Sequence, residues 1–354
     1  MINELVEKIQ HAAAHQEKLE IRGSGSKSFY GGVPQGTLLD MSAHHGIIDY
    51  APTELVLTAR SGTPLSEVEA LLAEQNQMLA FEPPNFGAPH LDTGATLGGC
   101  IASGLSGPRR AYSGAVRDFV LGVGILDGRG QHTKFGGQVM KNVAGYDVSR
   151  LMTGAMGTLG VLLDVSLKVL PRPAATLSLR FECDQQQGIQ RVNAWAGQTI
   201  PLSATCWQAG NLTIRLEGTQ RTLQTAHSKL GGELVADDAT FWRDIREQRK
   251  AFFQSTLPLW RLSVPSTAAP LDLQGVQLIE WGGALRWLVS DAAPQTIRGA
   301  AVAAGGQAIL FRGGDKRSGV FHPLPPALLA IQRRIKNNFD PQGVFNPYRL
   351  FDEF

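Results

Sequence analysis

The stretch KLEIRGSGSKSFYGG, Lys18 to Gly32, decides how the rest of this chain is read. Leu19 to Ile21 predicts a short strand. Arg22-Gly23-Ser24-Gly25-Ser26-Lys27-Ser28 follows as a glycine-rich turn, whose successive amides and hydroxyls suit an anion-binding nest. Two familiar phosphate loops fail against it. A Walker loop ends in Gly-Lys-Ser/Thr so that the amides close round a triphosphate, and Ser26 stands where that glycine belongs. A dinucleotide fingerprint needs a third glycine for close helix–strand packing. Here that position is Ser28, and Phe29 to Pro34 predicts irregular chain. The loop is therefore an anion cradle of another kind or a flexible surface turn, and the segment by itself leaves both open.

Outward from the loop, Met1 to Glu20 predicts a helix, with Ile2, Leu5, Val6 and Ile9 at helical spacing. Glu4, Glu7 and Lys8 interrupt any signal-peptide core, so the chain is expected in the cytoplasm. Leu55 to Leu57 predicts a buried strand. The following helix is expected to take Thr63 as its N-cap and Pro64 as its first residue. Phe81 to Phe119 has almost no bulky periodicity and reads as one long functional loop, in which small residues admit close backbone approach. Val120 to Gly137 predicts a hairpin turning at Asp127-Gly128. Asp147 caps a short helix, and Val161, Leu163, Val165, Leu167 and Val169 alternate as in a half-buried strand. Pro171 to Pro173 ends that unit, and strands mixed with helices then predict an α+β region. A final helix runs into the tight turn Asp340-Pro341-Gln342-Gly343.

The bulk numbers narrow the classes. The 354 residues, 43% hydrophobic and 18% charged, describe a globular chain of two domains. A formal charge of +2 excludes the usual nucleic-acid binder, so no nucleic-acid partner is expected. No apolar run approaches ~18 residues, so no transmembrane helix is expected. Three separated cysteines, Cys100, Cys183 and Cys206, make no Cys-x-x-Cys pair, and the histidines lack ligand spacing; no metal site is expected. The informative excess is glycine, 40 residues, dense between Gly94 and Gly160.

Four elements in this order carry a resemblance: Arg22-Gly23-Ser24-Gly25-Ser26, Thr96-Leu97-Gly98-Gly99, Gly154-x-x-Gly157-Thr158-Leu159-Gly160, and Phe339-Asp340-Pro341-x-Gly343-Val344-Phe345-Asn346-Pro347. Together they resemble the flavoproteins of the vanillyl-alcohol oxidase and p-cresol methylhydroxylase type. GPRRAYSGAVRDFVLG, FGGQVMKNVAGYDVSRLM and WGGALRW look like the FAD-binding subunits of bacterial glycolate oxidase from end to end. The resemblance implies an α+β fold: a two-subdomain FAD-binding domain over 1–172, an α+β cap domain over 173–330, and a tail, 331–354, that returns to the flavin domain. It implies FAD, with Gly23, Ser24, Gly25, Ser26 and Lys27 cradling the pyrophosphate. Pro83, Thr96, Gly98, Gly99, Ser103, Gly107 and Ser113 would line the cofactor, Gly157, Gly160 and Val161 would meet it from the other side, and Asn346 would return to the flavin ring. Lys27 either pairs with a phosphate or stands as a solvated loop lysine. No histidine lies between Arg22 and Gly36, so the FAD is expected to be non-covalent. Cys100 is a second attachment point or a small buried thiol.

The same resemblance implies a glycolate oxidase or dehydrogenase complex. Its partners would be a larger catalytic flavin subunit and an iron–sulfur subunit, with contact to the inner face of the membrane through the complex only. The substrate would be a small 2-hydroxy acid. Larger hydroxy-acid dehydrogenases of the family carry a Glu-His pair before the tail, and Ile309 to Leu324 lacks it. His322 is the one imidazole there and the candidate base; Arg109, Arg110, Arg312, Lys316 and Arg317 are candidate carboxylate anchors. Without the Glu-His pair the isolated chain is not expected to turn over glycolate. Two alternatives stand beside this reading: a self-sufficient 2-hydroxy acid oxidase, and a scaffold subunit whose flavin site carries no electrons.

Overall fold

The computed structural model describes residues 1–87, 94–137 and 147–354. Much of the quoted FGGQVMKNVAGYDVSRLM segment, 138–146, lies outside the described residues.

The amino-terminal helix α1 (Ile2–His15) buries Leu5, Ile9 and Ala12 on one stripe. β1 (Leu19–Arg22) and β2 (Thr37–Asp40) pair in parallel, and the glycine-rich loop leaves β1 at its carboxyl end. A five-stranded antiparallel sheet follows, in the order β3 (Ile47–Ala51), β4 (Val56–Arg60), β8 (Val161–Lys168), β6 (Val120–Leu126), β7 (His132–Gly136). Its helices are α2 (Leu65–Glu74), α3 (Leu97–Ser103), α4 (Arg110–Ser113) and α5 (Val148–Met152). A short pair, β5 (Gln77–Met78) with β9 (Leu170–Pro171), closes this region.

Several expectations change here. Pro64, not Thr63, is the cap of α2; the Thr63 hydroxyl instead accepts from the Gly46 amide at 2.9 Å. Phe81 to Phe119 is not one loop, because α3 and α4 fall inside it. Thr96 caps α3, accepting from the Gly99 amide, and Gly104 ends it in the left-handed region at φ 65°. The hairpin loop spans Asp127 to Gln131: the Asp127 carboxylate accepts from the Arg129 and Gln131 amides, and Gly130 takes the positive φ. β8 is buried on both faces rather than one. Val165 and Leu167 pack under α2 and α3, while Val161 and Leu163 meet α1 and the carboxyl-terminal tail. Asp147 does cap α5, accepting from the Arg150 amide.

The second sheet has eight antiparallel strands in the order β13 (Glu233–Leu234), β10 (Ala175–Glu182), β12 (Asn211–Gly218), β11 (Leu202–Gln208), β15 (Val276–Glu280), β16 (Leu285–Val289), β14 (Leu259–Ser263), β17 (Gln307–Arg312). The helices α6 (Gln185–Ala196), α7 (Gln220–Leu230), α8 (Asp238–Arg246) and α9 (Pro294–Ala303) accompany it. A buried ionic network joins the two sheets' regions. Arg215 pairs with Glu82 at 2.8 Å and with Glu217 at 3.2 Å, and Arg109 pairs with Glu217. Burial alone would push the Glu82 carboxyl up; Arg215 and then Arg109 hold it below the usual range instead.

The last helix, α10 (Pro326–Phe339), delivers the tail back to the first region. Phe345 lies beside Leu19 in a parallel bridge, and the Leu19 amide donates to Val344 at 2.8 Å. Beneath this seam the buried Lys336 ammonium donates to the Thr158 and Phe345 carbonyls and to Asp340, whose carboxylate accepts the Val344 and Phe345 amides. All three ammonium hydrogens and both carboxylate oxygens of that buried pair are engaged, which is the condition under which burying charge is tolerated.

Candidate functional site

β1, α3, the 154–160 turn and the tail converge on one cleft. One half, about 570 Å³, is lined by Gly23 through Ser28, Thr96, Gly99, Ser103, Arg349 and their neighbours. The other, about 400 Å³, is lined by Met41, Ser61, Gly98, Gly157, Gly160 and Leu162. The halves share Ile21, Gly23, Thr96, Gly99, Ala102, Met156 and Asn346, so they form one continuous space.

The loop is built to present its backbone. Among the described residues, the amides of Gly23 to Lys27 donate no hydrogen bond. Gly25 holds φ 78°, which turns successive amides to one side. Arg349 braces the chain beyond it, donating to the Tyr30 carbonyl at 2.6 Å and to the Gly32 and Ser28 carbonyls. Asn346 ties three segments together: its Oδ1 accepts from the Ile21 amide at 2.7 Å, and its Nδ2 donates to Met156 at 2.6 Å.

Lys27 is not a solvated loop lysine. It is 9% exposed, and its ammonium has no hydrogen-bond partner among the described residues. Burial pulls its pKa below the ordinary 10.5, while Cys100 and Glu247 act the other way. It lies 5.6 Å over the Phe86 ring. Ser61 Oγ is likewise buried and unpartnered on the second half's wall. Both residues line the cleft, and a buried donor without a partner calls for a polar ligand, ion or water to complete it.

Of the residues expected from sequence, Gly23, Ser24, Gly25, Ser26, Lys27, Thr96, Gly98, Gly99, Ser103, Gly157, Gly160 and Asn346 line this cleft. Pro83, Gly107, Ser113 and Val161 line neither half. Pro83 is buried within its own loop. The Gly107 carbonyl accepts from Trp281 Nε1 at 3.0 Å and borders a different cavity. The Ser113 hydroxyl donates to the Ala80 carbonyl, holding α4 in place. Val161, at the start of β8, is fully buried in the cluster formed with α1. Gly98 is small for the protein's own sake, since a Cβ there would stand 2.6 Å from that of Ser61. Cys100 is 1% exposed, and burial pushes its thiol up to about 12, which removes it as a nucleophile at neutral pH. Met41, Ser61, Met156 and Arg349 join the site without any local signal in the sequence.

The candidate base and anchors fare less well. His322 lines neither the cleft nor the neighbouring cavity; burial and the Arg298 charge lower its pKa. Arg109 is spent in the buried network, Lys316 donates to the Phe29 and Gly31 carbonyls, and Arg317 pairs with Asp315 at the surface. Arg312 donates to Gln248 at 2.6 Å, and Arg110 lies 4.4 Å over the Trp281 ring.

Comparison with known proteins places this geometry. Residues 2–136 match the family described as FAD binding domain. The chain is 49% identical over 349 residues to the glycolate oxidase subunit GlcE of Escherichia coli, covering 99% of this chain and 97% of that one. It is 30% identical to the glycolate oxidase subunit GlcD of Bacillus subtilis over 47% of this chain, spanning 34% of that subunit's length. Among solved structures it superposes on p-cresol methylhydroxylase with a TM-score of 0.70 at 14% identity, covering 100% of this chain and 88% of that one. Alkyldihydroxyacetonephosphate synthase superposes with a TM-score of 0.65 at 14% identity, covering 98% and 75%. The cleft residues fit the group this family implies: amides and a buried ammonium without partners among the described residues suit a pyrophosphate, and the glycines leave room for a long cofactor. The chain belongs to the family of the glycolate oxidase subunit GlcE, flavoproteins with an FAD-binding domain of the p-cresol methylhydroxylase fold.

Proposed function

We propose that this chain is the FAD-binding subunit of a multi-subunit glycolate oxidase, oxidising glycolate to glyoxylate and passing the electrons to a partner. The observation that carries the reading is that, among the described residues, the Lys27 ammonium and the five Gly23 to Lys27 amides lining one cleft have no hydrogen-bond partner. The pyrophosphate of FAD would lie on Gly23 to Ser26, with Lys27 as its counter-charge. The FAD would be held non-covalently, since Cys100 is shut in and no histidine lies on the loop. Asn346 and Arg349 would fix the loop that receives it. The chemistry a bound flavin supplies is acceptance of a hydride, and the protein's part is position and electrostatics.

The domain reading follows the sheets. Residues 1–172 would bind FAD, 173–330 would form the cap carrying the eight-stranded sheet, and 331–354 would pack back across β1. The partners would be a larger flavin subunit and an iron–sulfur subunit, in the cytoplasm against the inner face of the membrane. Among the described residues no helix is long and apolar enough to cross a membrane, in keeping with contact through the complex. Anaerobic glycolate added to the co-purified complex tests the reading. Flavin bleaching that falls when this chain carries Lys27→Met supports it; full bleaching in that variant, with this chain free of FAD, sinks it.

A further inference from the structure

Beyond Phe86 the cleft meets a second, narrower cavity of about 350 Å³, counted to its mouth. Its floor is the eight-stranded sheet, which presents Arg261 from β14, Glu280 from β15 and Trp287 from β16; its roof is Phe86 and the Leu105–Pro108 turn. Lys27, at the end of the flavin cleft, lies over the Phe86 ring that walls this cavity, so the two spaces adjoin.

Two charged side chains there keep unused hydrogen-bonding capacity among the described residues. The Arg261 side chain makes no hydrogen bond or ion pair among the described residues; its guanidinium lies 5.1 Å over the Trp281 ring, and the residue lines the cavity. Glu280 is 4% exposed, and its one described hydrogen bond comes from Trp287 Nε1 at 2.7 Å. The backbone beside it is strained: Trp281 sits at φ 55°, a conformation costly for an aromatic residue. The Thr205 hydroxyl, accepting from the Gly282 amide, and the Gly107 carbonyl, accepting from Trp281 Nε1, hold that turn in place. Strain held by outside contacts next to a cavity marks a position kept for use. The WGG motif in the sequence is this turn.

We propose that this cavity is a binding site for a small 2-hydroxycarboxylate, in which Arg261 pairs with the carboxylate and Glu280 accepts the hydroxyl hydrogen bond. The inference rests on the FAD-subunit reading for its chemistry and goes beyond it in naming the residues. It also gives the chain a carboxyl base from β15, in place of His322, the candidate from the segment before the tail. Burial raises the Glu280 carboxyl to about 7, against the Trp287 hydrogen bond and the Arg261 charge. That is the range in which a carboxylate serves as an acceptor and base near neutrality. The other charges facing it are Glu82, which raises it further, and Arg246 on the cavity wall; Cys206 of the adjacent β11 is a protonated thiol.

Oxalate is the probe, a small dianion that is not a hydroxy acid. Calorimetric titration of the FAD-loaded chain should show one site. Oxalate places a second carboxylate against Glu280, so it binds with Glu280 protonated. Affinity should therefore fall about tenfold from pH 6 to pH 8. Glu280→Gln keeps an acceptor for Trp287 and should flatten that dependence. Arg261→Met should weaken oxalate at least about tenfold, with Arg261→Lys in between. FAD content, read from absorbance of the same samples, should not change. Oxalate affinity indifferent to Arg261, or a pH dependence that survives Glu280→Gln, overturns the proposal. A loaded chain that gives no oxalate heat also overturns it and leaves the FAD reading standing. A chain that takes up no added FAD yet binds oxalate through Arg261 sinks the FAD reading and keeps the cavity assignment.

Discussion

Replacing Lys27 by Met should move two quantities in opposite directions. Without ligand, the ammonium is buried with no hydrogen-bond partner among the described residues, so its desolvation cost outweighs the offset from Cys100, Glu247 and the Phe86 ring. Methionine fills similar volume without charge, and the unliganded variant should be more stable than the parent by about 1–2 kcal/mol. FAD brings the anion the ammonium lacks. Losing a charge-assisted hydrogen bond costs about 1.5–3 kcal/mol, so FAD affinity should fall roughly 10- to 100-fold. The sign with pH is fixed as well. The folded-state pKa of Lys27 lies below 10.5, so above that lowered value the folded chain has shed a proton that the unfolded chain keeps. Unliganded stability should rise with pH between the lowered value and 10.5, and the methionine variant should lose that rise. Urea melts of the FAD-free protein at several pH values, with FAD titrations by fluorescence quenching, measure all three. A variant that is less stable and binds FAD as well as the parent would show Lys27 to be ordinary packing.

Further outcomes follow from the same geometry. Gly98→Val should cost the fold rather than the cofactor alone, because its side chain would run into Ser61; far-UV dichroism should report a broader, earlier melt. Gly25→Val should spare the fold more and lose FAD, since it forces a β-branched residue to φ 78° within the loop. Asn346→Ala should destabilise by about 2–4 kcal/mol, leaving the Ile21 amide and Met156 carbonyl without partners, and urea denaturation will measure it. Acid precipitation of the yellow protein should leave the flavin in the supernatant; flavin retained in the pellet would establish a covalent bond.

The parts legible in the sequence are those set by neighbours along the chain. The β1 loop could be read because strand, glycine and hydroxyl residues sit within a few positions. The same holds for the Asp147 cap and the tight turn at Asp340. Helix α3 was hidden because its tight packing on Ser61 selects small residues, which leave no bulky period. Its signals were nonetheless present in Thr96 at one end and Gly104 at the other. The second face of β8 could not be read, since it is covered by α1 and by a tail nearly two hundred residues away. Glu280 gave no sign for the same reason: its carboxyl is raised by burial, against Trp287 and Arg261, in surroundings that only the folded chain assembles. Lys27 stood in plain view, but its burial comes from Phe86 and Cys100, contacts that no spacing in the sequence encodes.

The account turns on the cleft between β1, α3 and the tail recognising FAD through its pyrophosphate. Titration of the flavin-free chain with FAD and with riboflavin, followed by flavin fluorescence, tests this most directly. FAD should saturate at one equivalent and bind far more tightly than riboflavin, which has no phosphate for Gly23 to Lys27 to hold. Equal affinity for the two, or no uptake of FAD at all, would contradict the site.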